Sequence, residues 1–123
     1  MKTRFDYEGV WITGFGVTLS VADMETAHIL NTVKMLLQKP ARTLSMLISD
    51  IENATFSETV WTAHNVADKK QSLKNVTSLS DTELTEYAIS SPLFKSMIAE
   101  LKSRGVNTDN IIRLYTTVEA FKS

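Results

Sequence analysis

Two glycines stand one residue apart at Gly14-Phe15-Gly16, just ahead of a segment with the marks of a helix start. Such a turn can hold a phosphate, because backbone N–H groups at a helix N-terminus attract anions. The surrounding residues argue against it. A dinucleotide fingerprint needs a third glycine where this chain has Leu19, and a P-loop needs a lysine where it continues Val17-Thr18-Leu19. Asp23 would also repel the phosphate. The glycines are therefore expected to re-aim a strand before the first helix, since glycine takes backbone angles that other residues avoid.

The histidines offer little more. His28 falls within the first expected helix beside Met24 and Leu30, where a lone histidine reads as a core-edge residue. His64 follows Trp61 by three residues and precedes a lysine-bearing stretch with Lys69 and Lys70. Together these four could line a ligand site, against the plainer reading of a structural histidine. With two histidines, no cysteine and no H-E-x-x-H, a zinc site would need carboxylates from distant segments, so no metal is expected. No serine sits in a G-x-S-x-G elbow, and Asp50 and Glu52, two apart on a helix, point to different sides. No catalytic residue and no cofactor is assigned.

The aromatic and basic residues suggest binding instead. On one parity of an expected C-terminal strand stand Arg113, Tyr115 and Phe121, and on the N-terminal hairpin Trp11 shares a face with Arg4. Large aromatics and arginine are favoured at interface centres. A second helix layer burying them is the alternative. The ligand or interface candidates are thus Trp11, Trp61, His64, Lys69, Lys70, Arg113 and Tyr115.

The elements that must carry these residues read as follows. Residues 4 to 13 suggest a hairpin turning at Glu8-Gly9, with Phe5, Tyr7, Val10 and Ile12 on one face. Ser20 and Asp23 form a capping pattern for a helix to about Lys39, where Lys39-Pro40 stops it. Leu44, Leu47, Ile48 and Ile51 mark one face of a second helix. Residues 55 to 66 read as a strand and 67 to 78 as a long exposed loop. Ser80-Asp81-Thr82-Glu83 is a complete capping box, with Leu79 and Leu84 as its hydrophobic staple. Ser91-Pro92 starts a further helix with Leu93, Phe94, Met97, Ile98 and Leu101 on one face, closed by Gly105. The alternation of Ile112, Leu114, Val118 and Ala120 predicts a C-terminal strand. The expected class is α+β: a mostly antiparallel sheet of four or five strands (N-terminal hairpin, middle strand, C-terminal strand) with about four helices packed mainly on one face.

Composition bounds the rest. The 123 residues suit one domain able to bury its own core, and 43% apolar with 22% charged residues is a globular balance. A net charge of -1 without a basic run longer than Lys69-Lys70 makes nucleic acid an unexpected partner. The opening MKTRFDYEGV has no apolar segment behind its charges, so no secretory leader, no membrane and a cytoplasmic location are expected. By elimination, the expected function is that of a small non-enzymatic interaction protein: a regulator, inhibitor or assembly factor. A phage or mobile-element accessory role is a guess at context carried by no residue. The expected partners are a second copy, as a homodimer, and a protein. The alternative is a nucleotide-like anion bound in a pocket at a subunit interface, with an enzyme third.

Overall fold

Prolines and capping side chains set most helix boundaries in the computed structural model, which describes residues 3–13, 16–53 and 63–116, with the backbone alone for 63–68. Helix α1 (Thr26–Gln38) stops at Lys39 because Pro40 opens α2 (Pro40–Glu52) in the first-turn position, where its missing N–H costs nothing. Helix α3 spans Ala63–Thr77. Before α4 (Asp81–Ile89), the Ser80 hydroxyl accepts from the Glu83 N–H at 3.2 Å, and the Glu83 carboxylate accepts from the Ser80 N–H at 2.9 Å. Helix α5 (Pro92–Ser103) is capped by Ser91, whose hydroxyl accepts from the Phe94 N–H at 3.2 Å. It ends at Gly105, φ 82°, after which the Val106 N–H reaches back to the Leu101 carbonyl. Asn107 caps α6 (Thr108–Tyr115) by accepting from the Asn110 N–H at 3.1 Å.

The sheet is far smaller than the sequence suggested. Among the described residues it has two strands, β1 (Val10–Ile12) and β2 (Thr18–Ser20), antiparallel with Trp11 opposite Leu19. The expected sheet of four or five strands gives way to a mainly helical fold with six α-helices among the described residues. Each correction has a local cause. Residues 4–6 form a 3₁₀ turn, because the Asp6 carboxylate accepts from the Thr3 N–H at 2.8 Å and the Asp6 N–H reaches the Thr3 carbonyl. The hairpin therefore turns at Thr13–Val17, not at Glu8-Gly9, with Gly16 at φ 80° donating to the Thr13 carbonyl. Gly16 does redirect the chain, as the reversal of a hairpin; Gly14 and Phe15 lie outside the described residues.

The first helix starts five residues later than its capping pattern implied. Val21–Asp23 make one 3₁₀ turn and Met24 is extended, because the Arg104 guanidinium takes the Ala22 and Met24 carbonyls at 3.1 and 2.8 Å. The strand expected over 55–66 lies outside the described residues up to 62 and is helical from Ala63 onward. The loop expected over 67–78 belongs to α3 through Thr77, whose half-buried Leu73 and Val76 accompany its packing on α2. The expected C-terminal strand is α6 as far as Tyr115; Ile111 and Tyr115, four apart, both pack on the core, as a helix permits.

Helix α1 lies at the centre, packed by α4, α5 and α6, while α2 packs on α4 and α3. Ile29, Val33, Leu36 and Leu37 of α1 meet Leu93, Phe94, Met97 and Leu101 of α5, with Leu84 and Ala88 of α4 and Leu47 of α2 in the same core. Phe5 is driven in from the 3₁₀ turn and meets the Tyr87 ring edge-on at 5.5 Å. No helix among the described residues is long and apolar enough to cross a membrane.

Candidate functional site

The N-terminal turn is fixed to α2 by one ion pair. The Arg4 guanidinium meets the Asp50 carboxylate side-on, Nε to Oδ2 at 3.0 Å and Nη2 to Oδ1 at 2.8 Å. The Arg4 backbone N–H adds a bond to the same carboxylate at 3.0 Å, and Nη1 donates to the Ile12 carbonyl at 3.0 Å. This fork geometry is the strong form of the pair, and it ties the 3₁₀ turn, β1 and α2 together. The guanidinium lies 5.9 Å from the Trp11 ring centre, so the indole is held in place from one side.

A cavity of about 280 Å³ opens beside this cluster. Its apolar lining comes from Trp11 of β1, Met35 of α1 and Met46 of α2; Arg42, Ser45 and Ser49 add polar groups from α2. Those three residues lie at i, i+3 and i+7, one stripe of the helix, beside the stripe that buries Thr43, Leu47 and Ile51. A second cavity of about 570 Å³, lined by Lys39, Pro40 and Asp81 among others, shares Arg42 and Ser45 with the first, so the two form one groove along α2.

Charge distinguishes the two arginines. Asp50 neutralises Arg4, which acts as a wall. Arg42 is exposed and has no ion-pair partner among the described residues. Lys39, at the junction of α1 and α2, adds a second cation to the groove, and Asp81 a single anion. The groove can therefore bind a negative group at Arg42 while burying an apolar one against Trp11 and the methionines, whose flexible thioethers adapt to varied shapes.

The residues singled out from sequence are dispersed. Trp11, 7% exposed, joins the core and shows one edge to the smaller cavity. Lys69 donates to the Glu52 carbonyl at 2.7 Å, closing the end of α2, and Lys70 is exposed. Arg113 is exposed on α6 and donates to the Asn110 side chain at 2.9 Å. Tyr115 is half-buried with the Lys34 ammonium 4.5 Å from its ring centre. Trp61 lies outside the described residues, as does the side chain of His64, a residue of α3. His28 is exposed on α1. Of the candidates placed, Trp11 alone lines the α2 groove. Sequence reasoning missed Arg42, Ser45, Met46 and Ser49. For Arg42, Ser45 and Ser49 the signal was the polar stripe just described, a feature that solvent-facing helices share; Met46 carried none.

Among the described residues no three histidine, aspartate or glutamate side chains gather as metal ligands. No family model, curated protein or solved structure matches this chain.

Proposed function

We propose that this chain is a non-enzymatic interaction protein that offers its α2 groove to an acidic partner protein. One observation carries the reading: Arg42, an arginine with no ion-pair partner among the described residues, stands beside a concavity lined by Trp11, Met35 and Met46. Tryptophan, methionine and arginine are the types enriched where one protein anchors another. A partner carboxylate on Arg42 would gain a charge-assisted hydrogen bond, and an adjoining apolar side chain would fill the cavity.

The size of that cavity favours a second reading. At about 280 Å³ it lies near the lower bound of small-ligand sites. Arg42 with the hydroxyls of Ser45 and Ser49 would then hold a carboxylate or phosphate, while Trp11 and the methionines would cover a ring.

Tagged protein purified from its native host, beside Arg42→Glu and Met46→Ala, separates the two. A partner recovered in a fixed ratio with the unsubstituted chain and lost from both variants supports the interaction reading. Retention at full affinity by both refutes it. A thermal-shift screen of nucleotides and small carboxylates tests the second reading. Stabilisation abolished by Arg42→Ala supports that reading, and a flat screen counts against it.

A further inference from the structure

A second concavity, separate from the α2 groove, lies between α4, the start of α5 and the 3₁₀ turn at Arg4–Asp6, with a volume of about 550 Å³. Leu79, Tyr87 and Pro92 supply its apolar lining, and Asp6, Glu83 and Glu86 its charges. None of these carboxylates has an ion-pair partner among the described residues. Asp6 and Glu83 each accept one local backbone N–H, and Glu86 none. The Ser80 backbone N–H holds the Glu83 carboxyl below its ordinary value, so it is ionised at neutral pH. The result is an apolar groove with an uncompensated negative rim.

The same molecule displays a patch of complementary polarity and charge. Leu114 on α6 is its most exposed large hydrophobic residue among those described, at 62%, and its neighbour Arg113 is exposed as well. A single bond to Asn110 holds the Arg113 guanidinium, which keeps most of its donors free. A leucine flanked by a guanidinium matches an apolar lining with a carboxylate rim in both polarity and charge. Leu114 is no part of the groove wall in its own chain and stands open to solvent.

We propose that a second copy of this chain docks Leu114 between Leu79, Tyr87 and Pro92, with its Arg113 facing Glu86 and Glu83. The two patches differ, so the contact closes either as a reciprocal pair, each copy's Leu114 in the other's groove, or head-to-tail as a ring or filament. It does not depend on the α2 groove.

Light scattering on two surface variants tests this. The double variant Arg113→Ala, Leu114→Ala removes the protruding patch, and Glu86→Lys reverses charge on the rim. All three residues are exposed, so thermal unfolding should stay near that of the parent. The unsubstituted chain should show a mass that rises with concentration, and each variant alone should remain monomeric. Mixed in equal amounts, the variants retain one competent groove and one competent protrusion between them. They should form a pair containing one copy of each, and no larger species. A monomeric parent at the highest attainable concentration overturns the proposal, as does a mixture that stays monomeric or variants that assemble alone. Arg42→Glu, in the other groove, should leave the mass unchanged.

Discussion

Replacing Asp50 with alanine would expose how the N-terminal turn is held. Arg4 and Asp50 keep only 10% and 17% of their side-chain surface in contact with solvent. Removing one partner of a fully buried pair costs about 3–5 kcal/mol, because the other charge is left without compensation. Residual exposure lets water reach the Arg4 guanidinium and its backbone N–H, so the expected loss is about 2–4 kcal/mol. With a urea m-value of roughly 1–3 kcal/mol per molar for a small domain, the unfolding midpoint should fall by roughly 1–2 M at unchanged slope. The double variant Arg4→Met, Asp50→Ala removes both charges, so its loss should be smaller than the sum of the Arg4→Met and Asp50→Ala losses by about 1–3 kcal/mol. Circular dichroism during urea unfolding reads all four proteins of the cycle. Single losses below about half a kilocalorie, or strictly additive losses, would show that the pair is decorative and that packing alone seats the turn.

Three further outcomes follow from the same geometry. Arg104→Ala should destabilise by about 2–3 kcal/mol, since its guanidinium bonds Ala22, Met24 and Thr26; Arg104→Lys should recover little, because one ammonium cannot reach all three acceptors, and a fully stable lysine variant would contradict this. Leu101→Ala or Leu47→Ala should cost about 2–5 kcal/mol in chemical unfolding, both side chains being buried, and a near-neutral effect would mean that the wrong helix faces are inward. Burial, with smaller contributions from the Asp6 and Asp50 charges, raises the Tyr87 phenol above its ordinary value, while the Thr3 hydrogen bond opposes the shift. The folded state therefore holds that proton more tightly than the unfolded chain. Its contribution is complete below the ordinary phenol value and disappears as pH rises through the raised one. Unfolding measured across the alkaline range should show a shallower decline in Tyr87→Phe than in the parent.

What was legible in the sequence was local. Ser80 with Glu83, Ser91 with Pro92, Pro40 after Lys39 and Gly105 all act within a few residues, and each sits at the helix boundary it signalled. The buried stripes of α2 and α5 were readable for the same reason, since a helix brings i, i+3 and i+4 onto one face. The misreadings have separate local causes. In α6, alternating apolar and polar residues fit a strand as well as a short helix, and the Asn107 cap decides for the helix. Helix α3 has too few apolar residues to show a stripe; its helical signal lay in good helix formers such as Lys70, Gln71, Leu73 and Lys74. The α2 groove draws on residues 4, 11, 35, 42 and 49, far apart along the chain, so it exists only once the turn, the hairpin and two helices have met.

The bonds that seat the N-terminal segment span long stretches of chain: Thr3 to Tyr87, Gly9 to Ser96 and Arg104 to Met24. During synthesis the first 25 residues therefore leave the ribosome long before their anchors exist. Helices α1 and α2 can form early from their own contacts, but the hairpin must wait for α4 and α5, and the start of α1 for residue 104. Closing such distant contacts is entropically slow. Phe5, which packs on Tyr87 of α4, should thus be among the last large side chains to lose their water.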